Sequence, residues 1–161
     1  MSEKPPSDLD EAEKLPATKP SPAELTHAQY LAFANDMRRR WAKGDIEPML
    51  ALFDDNAVYQ LLGSRALIPS AGVRIGKQEI REAWRAFYIE FETIDFHIDD
   101  VAYNLPRTAF TVWSVYLRHR GTQVEAHFEG VDHLVWSNGK VIKMTSYFDT
   151  ALLASLTPMD D

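Results

Sequence analysis

The second half of the chain changes from helical periodicity to strict alternation, and this change constrains the fold more than any other feature of the sequence. After about Phe91, apolar residues recur at every second position, which is typical of strands that bury one face. Turn residues interrupt the pattern at Leu105-Pro106, Arg120-Gly121 and Ser137-Asn138-Gly139, the last being a common hairpin signal. Long strands joined by short turns predict an antiparallel meander. The predicted strands cover residues 93–104, 107–119, 122–136 and 140–149.

The first half of the chain predicts three helices and one strand. Ser21-Pro22-Ala23-Glu24 combines an N-cap hydroxyl, a proline at the first helical position and a capping-box carboxylate, which is a strong helix start. Gly44 can end this helix, and Asp45 can cap the next one. The apolar loop that follows the strand is unusually long for a compact domain, and such loops often cover a site. The predicted elements are helices over 21–43, about 45–53 and 77–91, a strand over 57–62 and the loop over 63–76.

This order of elements predicts an α+β fold, in which a curved antiparallel sheet wraps as a cone around three helices from the N-terminal half. A chain of 161 residues that is 45% hydrophobic suits one domain, which we place at residues 21–156. Residues 1–20 mix proline, serine and charged residues with only two leucines, so we expect a disordered tail there. Residues 157–161 form a short C-terminal tail.

Charge and residue usage exclude several classes of function. The net charge of -7 argues against nucleic acid or an anionic membrane as the main partner. The basic cluster Arg38-Arg39-Arg40 lies on a predicted helix and is expected to be a solvated face. The chain has no cysteine, which excludes disulfides and thiolate chemistry. No apolar run reaches the roughly 18 residues of a membrane span, and the N-terminus lacks the apolar core of a signal peptide, so we expect a cytoplasmic protein.

Asp132 occupies an unusual position in the alternating pattern. It shares a strand face with Val124, Phe128, Leu134 and Trp136, and an ionised carboxylate costs several kcal/mol on such a face unless it finds a partner. The group must therefore bind a proton, accept hydrogen bonds as a structural residue, or line a cavity. The opposite face carries His127, Glu129 and His133. These three residues are potential metal ligands, but one strand seldom supplies a complete site, so we expect a solvated or interfacial face and no metal.

The chain resembles the nuclear transport factor 2-like superfamily, and within it the SnoaL-like group. The resemblance covers about residues 23–156 and implies a cone-shaped pocket that relatives use for many reactions or for none. It also implies a homodimer. The segments that carry it are Gly44-Asp45-Ile46-Glu47, Leu52 to Tyr59, Gly76-Lys77, Asp132 to Trp136 with Gly139-Lys140-Val141, and Tyr147-Phe148-Asp149.

Two of the related catalytic patterns are not retained. Ketosteroid isomerase keeps a neutral acid where Asp132 stands, but its general base falls on Gln60 and its oxyanion tyrosine on Met37. The Asp-Arg-Asp set of limonene epoxide hydrolase falls on Trp113, Val115 and Ser146, and these residues cannot position and deprotonate a water molecule. The resemblance therefore disfavours steroid-type isomerisation and excludes epoxide hydrolysis.

Two other relatives fit better. SnoaL-like polyketide cyclases use one aspartate as acid and base, and their aspartate segment is similar to that of Asp132. Scytalone dehydratase has two active-site histidines that fall near His97 and His119 if the hairpin between them is three residues shorter here. By alternation alone, His97 lies on the solvent-facing side of its strand and His119 lies at a strand end. Whether either histidine lines the pocket is therefore left open by the sequence.

We therefore expect either of two functions. The first is a cofactor-independent enzyme that cyclises, isomerises or dehydrates a small hydrophobic carbonyl compound, with Asp132 as acid/base and His97 as second proton carrier. The second is a non-catalytic module of the same fold for ligand binding or dimerisation. Tyr59 would join the pocket only if its strand shifted register by one residue. The residues expected to bind substrate are Gln60, Met37, Trp113, Ser146, Phe148 and His119.

Overall fold

The computed structural model of the protein describes residues 26–104 and 107–158. The expected tail over 1–20, the helix start at Ser21 and the turn at Leu105-Pro106 lie outside these residues. Within them the first helix begins at His27 and is capped by Thr26, whose hydroxyl accepts from Gln29 N at 3.3 Å. The Gln29 side chain accepts from Thr26 N at 2.8 Å. A capping box is therefore present, formed by this pair of residues.

The described residues form four helices and six strands. Every element predicted from the sequence has a counterpart. The ends differ by up to four residues, apart from the start of the first helix, which lies at His27 whereas the sequence predicted Ser21. Two short elements were not predicted, namely β2 and α4. In chain order the elements are α1 His27–Lys43, α2 Ile46–Leu50, β1 Phe53–Leu61, β2 Gly72–Ile75, α3 Gly76–Glu90, β3 Phe91–Asn104, β4 Thr108–His119, β5 Glu125–Ser137, β6 Lys140–Phe148 and α4 Thr150–Ser155.

The six strands form one curved, unclosed sheet in the order β2-β1-β6-β5-β4-β3. Strands β3 to β6 pair antiparallel with their neighbours, as the alternation predicted. Strand β1 pairs parallel with β6, because α3 and the meander separate the two strands in sequence. Helix α1 packs against β3, and α3 packs against β1. The α+β class is confirmed.

Both unpredicted elements are stabilised by contacts that periodicity does not reveal. Strand β2 lies within the predicted loop and pairs with β1 through residues such as Arg74, which is opposite Tyr59. Helix α4 begins after Asp149, whose carboxylate accepts from Leu152 N at 2.9 Å, and it buries Leu153 completely. Four residues of β2 and six of α4 are too few to show a period.

No helix among the described residues has the length and apolar character that a membrane crossing requires.

Candidate functional site

Strand alternation brings a row of polar and apolar side chains together on the inner face of the sheet. Asp132 of β5 pairs with Ser146 of β6 on one side and with Thr111 of β4 on the other. Ser146 in turn pairs with Leu61 of β1. Because paired residues point to the same side of a sheet, these four side chains converge beneath the helices. Asp132 is therefore on the inner face, as the sequence pattern predicted.

The inner face of the sheet and the helices enclose a cavity of about 90 Å³. This volume accommodates several water molecules or part of a small organic ligand. Most of the lining is aromatic or aliphatic, and Asp132 is its one carboxylate among the described residues. Of the residues expected to bind substrate, Met37, Trp113, Ser146 and Phe148 line this cavity.

Asp132 has few polar contacts for a carboxylate. The Ser146 hydroxyl donates to Asp132 Oδ1 at 2.7 Å, and the surface that the half-buried Asp132 retains faces the cavity. Burial raises the pKa of Asp132 to about 6, while Ser146 and the nearby Trp113 indole lower it by smaller amounts. Desolvation therefore dominates, because the apolar walls disfavour the charged form. Such a carboxyl group exchanges protons close to neutral pH.

Trp113 lies across the backbone of Gly130, directly opposite it on β4 and β5. A methyl group at Gly130 would lie 2.7 Å from the Tyr147 carbonyl oxygen and still closer to the Trp113 ring. Gly130 is thus needed for the position of the indole. The Trp113 indole lowers the pKa of Asp132. Its Nε1 is buried and has no hydrogen-bond partner of regular geometry among the described residues.

Tyr59 lines the cavity, whereas its neighbour Gln60 does not. The register of β1 places Tyr59 beside Met144 and Leu61 beside Ser146, so Gln60 points to the opposite face. Gln60, which the sequence analysis expected to bind substrate, therefore lies outside this cavity, and Tyr59 takes the inward position instead. Burial raises the pKa of the Tyr59 hydroxyl, as does the negative charge of Asp132. The phenol consequently keeps its proton and remains a donor.

Arg38 is the second unexpected residue of the cavity wall. The Arg38-Arg39-Arg40 run was predicted to be a solvated face, and Arg39 and Arg40 do pair with Asp36 near the surface. Arg38 instead lines the cavity and donates to the Phe96 carbonyl oxygen at 3.1 Å. Three consecutive helical residues are rotated by about 100° from one another, so one member of the run faces inward.

The two candidate histidines lie outside the cavity. The His97 side chain is 61% exposed on the outer face of β3, where its Nε2 lies 2.7 Å from Asp95 Oδ2. His119 is 6% exposed, and its Nδ1 accepts from Thr122 N at 3.0 Å in the hairpin between β4 and β5. Neither residue reaches Asp132. The alternation of β3 predicted the position of His97 better than the family resemblance did.

The outer face of the sheet carries two further histidines, both on β5. His133 stacks on Phe110 with ring centroids 4.5 Å apart, and His127 lies 4.6 Å from Tyr116. Within 26–104 and 107–158, no group of three or more histidine, aspartate or glutamate side chains is arranged to hold a metal ion. Both histidines of β5 thus contact aromatic rings of β4, His133 by stacking and His127 at a tilt of 37°.

Comparison with known proteins identifies the family. The family model described as the SnoaL-like domain matches residues 34–144. This segment contains the cavity residues Tyr59, Trp113 and Asp132. The chain belongs to the SnoaL-like family. No curated protein matches this SnoaL-like chain.

Solved structures share the fold of this SnoaL-like protein at low sequence identity. One is a protein from Rhodopseudomonas palustris described as a candidate isomerase, with a TM-score of 0.70, 19% identity and coverage of 82% of this chain and 98% of that one. An NTF2-like protein from Burkholderia pseudomallei also has a TM-score of 0.70, with 13% identity and coverage of 80% and 97%. A candidate polyketide cyclase from Xanthomonas campestris has a TM-score of 0.63, with 12% identity and coverage of 78% and 94%.

Proposed function

We propose that this SnoaL-like protein is an acid/base enzyme that acts on a small hydrophobic carbonyl compound without a cofactor. The observation that carries the proposal is Asp132, the one carboxyl group that the described residues contribute to the cavity wall. Burial among mostly aromatic and aliphatic side chains raises its pKa to about 6. A proton-transfer catalyst is most effective when its pKa lies near the working pH. Similarity to proteins described as isomerases and a polyketide cyclase agrees with this class of chemistry.

The proposed reaction needs only one proton carrier. The Asp132 carboxylate takes a proton from the carbon next to the substrate carbonyl, and the electron pair of that C–H bond moves to the carbonyl oxygen. Where a carbon–carbon double bond adjoins the α-carbon, the resulting dienolate takes the proton back from Asp132 at the far carbon of that bond, which is isomerisation. Alternatively, the enolate attacks a second carbonyl, which is cyclisation. In the second case the new alkoxide receives the proton from Asp132. The Ser146 hydroxyl fixes the carboxyl group through its 2.7 Å hydrogen bond.

The enolate oxygen requires hydrogen-bond donors. Two side chains that carry donors line the same cavity, namely Tyr59 with its hydroxyl and Trp113 with its indole N–H. Tyr59 keeps its proton because burial raises its pKa, and Trp113 Nε1 has no regular partner among the described residues. We assign these two groups to the developing negative charge, in place of the role expected for Gln60.

Exchange of hydrogen for deuterium tests this mechanism without knowledge of the product. Ketones, steroids and polyketide-like compounds are first screened by thermal shift, and the ligands found are incubated with the protein in D₂O. Proton NMR then measures loss of the α-hydrogen signals. We expect Asp132→Asn to slow exchange by about 10²- to 10⁴-fold. Asp95→Asn and His97→Gln on the outer face are the controls, and each should leave the rate within about twofold. Exchange that persists in Asp132→Asn would refute the mechanism.

A second candidate function is ligand binding without catalysis. It is favoured by the positions of Gln60, His97 and His119 outside the cavity, because the polar partners that the resemblance implied for Asp132 are then missing from its surroundings. This alternative predicts that ligands raise the melting temperature while their α-hydrogens exchange no faster than in buffer.

We also propose that the outer face of the sheet joins two copies of the chain. Phe110, Tyr116 and Tyr147 are 42%, 48% and 45% exposed there, and large exposed aromatic side chains of this kind are enriched at interfaces. The cytoplasmic location expected from the sequence stays a prediction.

A further inference from the structure

Arg38 is the only cationic residue of the cavity wall within the described part of the chain. It extends from α1 and is half-buried, with apolar neighbours on the same wall such as Met37 and Ile98. A guanidinium group carries five N–H donors. Its one recorded hydrogen bond runs to the Phe96 carbonyl oxygen at 3.1 Å, so most of its donor capacity is unused by the described protein.

The charge of Arg38 is not neutralised by a contact within the described residues. Arg39 and Arg40 both bond to Asp36, at 3.2 and 2.6 Å, whereas no carboxylate within 26–104 and 107–158 lies at ion-pair distance from Arg38. The charge of Arg38 is the smallest of the effects that lower the pKa of Asp95, and the Asp95 carboxylate contacts His97 instead. A partly desolvated cation on an apolar wall gains most from an anionic partner that enters the cavity.

Arg38 and Asp132 lie toward different ends of the cavity. The Phe96 carbonyl that holds Arg38 belongs to a residue opposite Val115, and Asp132 is opposite Thr111. Val115 and Thr111 are four positions apart on β4, which corresponds to roughly 13 Å along the strand. The intervening inner position is occupied by Trp113. The cavity thus has a cationic end, an apolar middle and a proton-exchanging end.

We propose that the substrate carries a carboxylate that pairs with Arg38 while its reacting carbonyl group lies at Asp132. The second part of this inference, the position of the reacting carbonyl group at Asp132, rests on the proposed function, since it assigns the reaction to the same cavity. A planar carboxylate accepts two parallel hydrogen bonds from a guanidinium group. Separation of the two ends also keeps the substrate anion away from Asp132 when that carboxyl group is ionised. The substrate class is therefore a hydrophobic keto acid rather than a neutral ketone.

A matched pair of probes tests the anionic recognition directly. The acid probe is 7-oxo-7-phenylheptanoate, whose methylene chain separates the carboxylate from the ketone across the apolar middle of the cavity. The neutral probe is its primary amide. Isothermal titration calorimetry at pH 7 measures the two affinities. We expect wild type to bind the acid at least about tenfold more tightly, and this preference should shrink at high salt because it is electrostatic.

Two substitutions on the same helix separate a specific role from a general effect of charge. Arg38→Met should reduce the preference for the acid to less than about twofold while the amide affinity changes by less than about threefold. Arg39→Met, at a side chain that is 63% exposed, should retain the full preference. Melting temperatures of both variants establish that they are folded.

The outcomes distinguish this inference from the proposed function. Wild type that binds neither probe, or binds both equally, would overturn it, as would a preference that survives Arg38→Met. Deuterium exchange of the acid probe in the same samples reports on Asp132. A preference that depends on Arg38, without any exchange, would support recognition of the acid and count against the proposed chemistry.

Discussion

Asp132 and Asp95 are the same residue type on opposite faces of one sheet, and their environments shift their pKa values in opposite directions. Asp132 faces the cavity, where burial raises its pKa to about 6. The Asp95 side chain is 56% exposed on the outer face, and its hydrogen bond to His97 lowers its pKa. Both residues lie on long strands of the meander.

Strand alternation therefore determines the chemistry that is available to each of these two carboxyl groups. On the inner face, desolvation outweighs the hydrogen bond from Ser146. On the outer face water removes most of that cost, so the contact with His97 dominates. A residue one position along either strand would face the other environment. The two faces consequently differ in function, although residue composition alone does not distinguish them.

The largest expected effect on stability is a pH dependence with opposite signs at the two aspartates. The pKa of Asp132 rises from 3.8 to about 6 on folding, so between these values the folded state binds more protons at this site than the unfolded state does. The free energy of unfolding should therefore fall as pH rises from about 4 to about 6, by roughly 3 kcal/mol in total. For Asp95, whose pKa is lowered, the stabilisation is present above about pH 4 and is lost as pH falls further.

Urea unfolding of wild type, Asp132→Asn and Asp95→Asn from pH 3 to pH 7.5 measures both terms. Wild type minus Asp132→Asn should decrease across pH 4 to 6, since all other titrations cancel in the difference. Wild type minus Asp95→Asn should increase with pH below about 4. A flat difference for Asp132 would mean that its carboxyl group is well solvated, and the contrast between the faces would fail.

A somewhat smaller effect is expected from Gly130→Ala, which places a methyl group against the inner wall. The new Cβ would lie 2.7 Å from the Tyr147 carbonyl oxygen and closer to the Trp113 ring, so we expect a loss of about 1–3 kcal/mol of unfolding free energy. Trp113→Phe shortens the ring, and the double variant should lose less than the sum of the single losses. Additive losses in urea unfolding would show that the indole does not depend on Gly130.

Much of the fold could be predicted from the sequence because its signals are local. The period of two and the turn residues predicted all four strands of the meander, and alternation within β5 predicted that Asp132 faces inward. The parallel pairing of β1 with β6 depends on contacts between distant segments. It could not be read from either strand alone.

The composition of the site was harder to predict because it depends on rotation and register. Tyr59 rather than Gln60 faces the cavity, and alternation of Ala57, Tyr59 and Leu61, all buried, is the signal that indicates this. For Arg38, the helical spacing of Tyr30, Ala34, Met37 and Trp41 indicates the buried side of α1, but it does not show that an adjacent arginine would reach the edge of that side. Family resemblance placed His97 in the pocket, and the alternation of β3 argued for solvent.

The smallest effect on the stability of the single chain is expected on the outer face, where Phe110 stacks on His133. If this face joins two copies, light scattering coupled to size exclusion should give wild type twice the mass of one chain. Phe110→Glu should give the mass of one chain, because a charge buried without a partner opposes association. Since Phe110 is 42% exposed, the unfolding free energy of the separated chain should change by less than about 1 kcal/mol.

Ile89→Glu is the matched control for this surface. Ile89 is 74% exposed on α3, away from the sheet, so its replacement should leave the dimer intact if the outer face is the specific interface. A wild-type chain that elutes at the mass of one copy would refute the dimer, and so would equal dissociation by both substitutions. With Phe110→Glu as a monomer, deuterium exchange at unchanged rate would show that the inner face works independently of the outer one, since every group assigned to the cavity comes from one chain.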